Sequence, residues 1–207
     1  AYGVSINEYL VAVYVWSVYT ECMHGMPSER PVRVAVPVNL RPYFNSITTK
    51  NFFVMVSAEF HPTKEIYTFE EVLKSVSESL RSQISRENLE KLFSYNVSNE
   101  KLLAARIVPL FLKNLAMRYV YTTSALANTA TVTNIGNISV SEEYRPYVEM
   151  FHAFLAMSKG QHLKGTICSY GDTLVFSFSY DLTDTSVQRG FFRKIAADGI
   201  AVEIETN

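Results

Sequence analysis

The 207 residues predict an α/β protein of the α+β kind, a mixed β-sheet covered by helices. Three patterns point there. Ser5-Ile6-Asn7-Glu8 and Thr68-Phe69-Glu70-Glu71 each place a hydroxyl three residues ahead of a glutamate, the spacing at which side chains and backbone N–H groups cap one another at a helix start. Val32, Val34, Val36 and Val38 alternate with Arg33, Ala35, Pro37 and Asn39, which gives a strand one firmly buried face. Gly171-Asp172 separates two runs rich in β-branched and aromatic residues, as in a tight hairpin.

In chain order, the first helix should run from Ser5 to about Met23. Val4 and Tyr9 are placed as a hydrophobic staple, and Gly25 and Pro27 end the helix. It is apolar on nearly all sides, so it should lie buried between layers. The valine-rich strand follows, with Pro37 at a strand end or an edge because it cannot donate to a ladder. Phe52 to Phe60 is a second strand with Phe52, Val54, Val56, Ala58 and Phe60 on one face. Phe53 and Met55 on the other face suggest a central strand covered on both sides.

The helix opened by Thr68 should reach about Ser85 and bury Val72, Val76 and Leu80, flanked by Leu73. Further helix is expected over Leu102–Ile107, and Pro109 opens another to about Tyr121. The Ser/Asn-rich stretch Ser94–Asn99 reads as a loop. Thr129–Thr133 is β-branched and ends at Asn134-Ile135-Gly136-Asn137. Val148–Ser158 could be strand or helix, with strand favoured. Leu163–Tyr170 and Thr173–Tyr180 form the hairpin arms. Asp184–Asp198 is an amphipathic helix with Val187, Phe191 and Ile195 inward and Gly199 at its C-terminal cap, and Ile200–Glu205 is a closing strand.

Composition narrows the function. Nineteen basic against twenty acidic residues supply no field to hold nucleic acid or an anionic membrane. The longest apolar run, Tyr9–Tyr19, is too short to span a bilayer, which takes about 20 residues. Cys22 and Cys168 read as buried thiols in a reducing, cytoplasmic setting. The chain starts at Ala1, not Met, and moves directly into a helix, as a piece of a longer polypeptide would.

The residues by themselves supply little catalytic chemistry. His24, His61, His152 and His162 have neither acid nor nucleophile at a familiar spacing, and no metal-ligand pattern is present. No nucleophile elbow or phosphate-binding glycine motif occurs. Ser57 and Ser177 alternate with large apolar strand residues; they either line a pocket or serve as buried, hydrogen-bonded serines. Glu70/Glu71 and Glu142/Glu143 are carboxylate pairs at expected helix starts, where they suit the helix dipole. Arg41 follows an apolar strand and precedes Pro42, a position from which a guanidinium can clamp a carboxylate, and which a plain surface Arg fits equally well.

Pro37-Val38-Asn39-Leu40-Arg41-Pro42, followed by Asn51-Phe52-Phe53 opening a strand, resembles the second lobe of the condensation-domain and alcohol acetyltransferase group, whose members share the chloramphenicol acetyltransferase-like fold. Thr133-Asn134-Ile135-Gly136 resembles that group's Ser/Thr-Asn-x-Gly segment. Ser169-Tyr170-Gly171-Asp172-Thr173-Leu174 resembles its hairpin, and Phe191-Phe192 through Ile200–Glu205 its closing helix and strand.

The resemblance implies that residues 1–207 form the C-terminal lobe of a two-lobed acyltransferase, with a tunnel between the lobes. Such enzymes move an acyl group from a coenzyme A thioester, or from the phosphopantetheine of a carrier protein, to an alcohol or amine acceptor. The other lobe supplies a His-His-x-x-x-Asp-Gly motif. Its second His is the general base, and its Asp pairs with an Arg of the second lobe, which Arg41 matches. Asn134 and Gly136, with Ser57 and Ser177, are the tunnel-facing candidates.

No His-x-x-x-Asp occurs here, so the chain alone is expected to be inactive and to need the missing N-terminal lobe. Trimeric chloramphenicol acetyltransferases and dihydrolipoyl acyltransferases carry that motif near the C-terminus, which disfavours them. A condensation domain of a nonribosomal peptide synthetase and a non-catalytic binding or scaffolding domain are the alternatives. No bound cofactor or metal is expected, and an isolated lobe is expected to cover its apolar face by pairing with a second copy.

Overall fold

Both capping boxes form. In the computed structural model, which describes residues 2–101, 108–158 and 160–206, the Ser5 hydroxyl accepts from the Glu8 N–H while Glu8 accepts from the Ser5 N–H. Helix α1 (Ile6–Ser17) then continues as a π-helical turn over Val18–Cys22. Thr68 and Glu71 repeat the box at α3 (Phe69–Gln83), whose Val72, Leu73, Val76 and Leu80 are buried.

Strands β1 (Val32–Asn39), β2 (Phe53–Phe60), β3 (Ala130–Asn137), β4 (Leu163–Tyr170) and β5 (Thr173–Tyr180) make one mixed sheet in the order β2-β1-β3-β4-β5. The outer pairs are antiparallel, and β1-β3 and β3-β4 are parallel. Val32, Val34 and Val36 oppose Phe60, Ala58 and Val56, and these six side chains are buried on one face. Helices α1, α3 and α6 (Ser186–Ala197) cover that face through Leu10–Val15, Val76, Leu80, Phe191 and Ile195. Fully burying such aliphatic and aromatic side chains stabilises by roughly 1.5–3 kcal/mol each before chain entropy is counted.

Gly165 on β4 shows how tightly this face packs. An added Cβ there would lie 2.7 Å from Cζ of Phe176 and 3.2 Å from Cγ2 of Val132. The Phe176 ring therefore rests on bare backbone and reaches Phe191, 4.2 Å between centroids.

The sequence-based expectation differs from the structure in several places. β2 is an edge strand, not a central one, and Phe53 and Met55 are about half exposed. Its outer edge is covered by the polar side of α3. The Ser57 N–H donates to Gln83 Oε1, the Glu59 N–H donates to Ser79 Oγ, and the two carbonyls accept from Ser79, Gln83 and Ser75. An edge protected by side chains needs no further strand.

Ser94–Asn99 lies within α4 (Arg86–Lys101), not a loop. Ser85 caps that helix by accepting from the Asn88 N–H, and Glu87 and Lys91 pair one turn apart. Leu102–Ile107 lies outside the described residues. The helix opened by Pro109 is α5 (Leu110–Leu126).

Val148–Ser158 is not a strand. Its odd-numbered residues from Phe151 to Met157 are partly buried while His152, Phe154 and Ala156 are exposed, so the alternation is real. The segment lies over β4 as a strap, and side chains rather than a ladder meet its carbonyls. Cys168 Sγ donates to the Phe151 carbonyl and Lys164 Nζ to that of Ala156. Ile200–Glu205 likewise pairs with no described strand; it leaves the α6 cap and brings Glu205 within 3.7 Å of His152 on the strap. Cys22, expected to be buried, is exposed at the end of the π-helical turn, whereas Cys168 is buried and its thiol is pushed up by burial.

Candidate functional site at the carboxyl ends of β1 and β3

β1 and β3 pair only at Val34–Ala130 and Ala35–Thr131. From Val36 on, β1 keeps β2 alone as a ladder partner, which is where Pro37, lacking an N–H, is tolerated. The chain leaves β1 toward β2 on one side, while β3 lies on the other. In open α/β sheets such divergence points, at the carboxyl ends of strands, are common ligand sites.

Arg41 stands at this end. Leu40, fully buried, anchors a single helical turn α2 (Arg41–Phe44), and Asn45 closes it in the left-handed conformation that Asn tolerates. The turn folds the 45–51 loop around the guanidinium. Arg41 Nε donates to the Thr48 carbonyl at 3.1 Å, Nη2 to the Lys50 carbonyl at 2.7 Å and Nη1 to Asn39 Oδ1 at 3.3 Å. Among the described residues no carboxylate pairs with it, and its fork of donors is not exhausted. The result is a cation fixed in direction by neutral acceptors.

Asn134 and Gly136 lie at the same end, since β1 and β3 run parallel. Asn134 is exposed, and its Oδ1 accepts from the Gly136 N–H at 2.8 Å. Gly136 has φ of 86°, a region closed to most side chains, and sits at a register shift against β4. Exposed apolar side chains join them: Ile47 (100%), Ile135 (53%), Phe53 (49%) and Leu174 (42%).

Ser57 and Ser177 are elsewhere. Ser57 lies mid-strand on the guarded β2 edge, its Oγ 3.2 Å from Asn128 Oδ1. Ser177 is buried on β5, opposite Thr166. Sequence spacing could not reveal one further pair, His162 Nδ1 with Asp181 Oδ1 at 2.9 Å, because 19 residues separate the partners. It is exposed where β4 begins and β5 ends, away from Arg41. Among the described residues no group of three His, Cys, Asp or Glu side chains is arranged to hold a metal ion. No described helix is long and apolar enough to cross a membrane.

No family model matches the sequence, and no curated protein does. Solved structures do. A wax ester synthase/diacylglycerol acyltransferase from Marinobacter aquaeolei matches 96% of this chain and 45% of its own, at 14% identity and a TM-score of 0.51. A nonribosomal peptide synthetase in an AMPPNP-bound form matches 95% of this chain and 19% of its own, at 17% identity and a TM-score of 0.57. The epimerization domain from the third module of tyrocidine synthetase B matches 95% of this chain and 42% of its own, at 10% identity and a TM-score of 0.54. The chain thus has the chloramphenicol acetyltransferase-like fold, and it spans less than half the length of each of these proteins.

Proposed function

We propose that this chain is the C-terminal lobe of a two-lobed acyltransferase, in which an acyl group passes from a coenzyme A thioester to an alcohol or amine. The observation that carries this is Arg41: a guanidinium held in place by Asn39, Thr48 and Lys50, with donors to spare and no carboxylate of its own among the described residues. A second lobe bringing an Asp to this point would complete a bidentate, charge-assisted pair. That pair would hold the neighbouring catalytic loop, whose His removes the acceptor's proton as it attacks the thioester carbonyl. Arg41 is therefore a positioning residue. The splayed ends of β1 and β3, with Asn134 and the tight turn at Gly136, would form this lobe's wall of the tunnel.

Condensation on carrier-bound substrates is the second reading. It is favoured by the peptide synthetase likeness, whose TM-score of 0.57 exceeds the other two described above. Both readings share the role of Arg41 and differ in whether the thioester is carried by coenzyme A or by a protein.

The test uses the complete natural polypeptide. With acetyl-CoA or a carrier-bound acyl thioester and a panel of alcohols and amines, it should turn over, whereas residues 1–207 alone should not. Arg41→Ala should lower kcat by a factor of ten or more with a smaller change in KM, and Arg41→Lys should rescue only partly because the bidentate fork is lost. Turnover by residues 1–207 alone, or an Arg41→Ala enzyme of full activity, would overturn the assignment.

A further inference from the structure

The second face of the sheet, away from the helices, holds an uncompensated charge. Lys164 on β4 is 8% exposed, and lysine is almost never this buried without a counter-ion. Its Nζ donates to the Ala156 carbonyl at 2.7 Å and to Ser158 Oγ at 2.6 Å, both neutral acceptors on the strap. Among the described residues no carboxylate forms an ion pair with it, and Asp181, near the start of β4, pairs with His162. Two dipoles do not replace the hydration of an ammonium, so the site favours an anion.

The surroundings are donors. Thr166, two residues along β4 on the same face, is 3% exposed, and its hydroxyl is buried with no hydrogen-bond partner. Across the ladder, Ser177 opposes Thr166 and Ser179 opposes Lys164; Ser177 is 7% exposed. On the other side Thr133 and Thr131 hold the matching positions of β3. Gln161, which follows the strap, accepts from Thr131 on β3 and from Ser158.

We propose that Lys164, Thr166 and Ser177 form a site for a small oxyanion, a carboxylate or phosphoryl group, between β4, β5 and the strap. The ammonium supplies the charge, and the Thr166 and Ser177 hydroxyls turn to donate to the oxygens. The site stands independently of acyl transfer, since it uses neither Arg41 nor the sheet end where Arg41 lies.

Inorganic phosphate and, in a parallel arm, acetate are titrated against the full chain by calorimetry and thermal melting, with chloride at matched ionic strength as the reference. Saturable binding and a raised Tm are expected with one of the two, and the better anion assigns the group. Lys164→Met should weaken that binding at least tenfold, and the exposed control Lys74→Met should leave it unchanged. Thr166→Val keeps the shape while removing the unpartnered hydroxyl, and should weaken binding severalfold without harming the fold. If Lys164→Met does not fold, Thr166→Val decides alone. Binding no different from chloride for both anions, or binding unaltered by Thr166→Val, overturns the site.

Discussion

Single side chains carry measurable consequences here. At Gly165 an alanine methyl would displace the Phe176 ring and, through it, Phe191. Gly165→Ala should therefore cost about 1–3 kcal/mol, read as a lowered urea midpoint with an unchanged m-value. Ser5→Ala removes the α1 cap at a cost of about 1 kcal/mol. Glu8 and Asp198 contribute to the acid limb. Burial alone would raise Glu8, but Arg81 and the Ser5 N–H and hydroxyl outweigh it and hold the carboxyl below its ordinary value. Asp198 behaves likewise, burial being outweighed by Lys194 and by the Tyr9 and Tyr2 hydroxyls. Both folded values lie below the unfolded ones, so the unfolded state binds more protons. Their stabilisation is complete above the unfolded values, near pH 4, and is lost as pH falls through the folded ones. Glu8→Gln should flatten that acid limb in a series of melts from pH 6 to pH 2.

At the scale of elements, the α3–β2 contact decides how the sheet ends. Ser75, Ser79 and Gln83 follow one another at helical spacing and meet Ser57 and Glu59, which alternate at strand spacing. Ser79→Ala with Gln83→Ala should strip two edge N–H groups of partners, cost about 1 kcal/mol for each, and raise concentration-dependent association in light scattering. The helix and strand were each legible in the sequence, since capping boxes and period-2 burial are local. Their side-on contact was not, because Phe53 and Met55 imitate a strand buried on both faces. The same ambiguity produced the strand expected over Val148–Ser158. Period-2 alternation records that one side of an extended segment is covered, and a strap across a sheet face satisfies it as well as an edge strand does. Ser94–Asn99 reads as a loop in the sequence yet is helical for the opposite reason: Ser and Asn weaken a helix interior without forbidding it when capping and ion pairs support the rest.

On the scale of the molecule, α5 stands apart. Leu110, Phe111, Leu115, Met117, Tyr119 and Tyr121 are all exposed, though apolar side chains on a helix ordinarily face the interior. Ile47, Phe53 and Ile135 are exposed as well. In isolation the chain should therefore self-associate. Phe111→Glu with Leu115→Lys should lower the sedimentation-averaged mass while leaving the unfolding free energy from urea titration within about 0.5 kcal/mol of the parent, as expected for surface positions. An unchanged mass would show that α5 is not the surface that associates.

The sequence alone determined the capped starts of α1 and α3, the hairpin at Gly171-Asp172, the buried valine face of β1 and the likeness of the Arg41 and Asn134 segments to one fold, since each depends on residues a few positions apart. Only the tertiary structure decided that β2 is an edge, that Thr48 and Lys50 aim Arg41, that His162 meets Asp181 and that Lys164 lies buried without an anion among the described residues. Strand order, and the contacts that depend on it, are set by side chains that meet across the sheet from distant parts of the chain, and no periodicity along the chain encodes them.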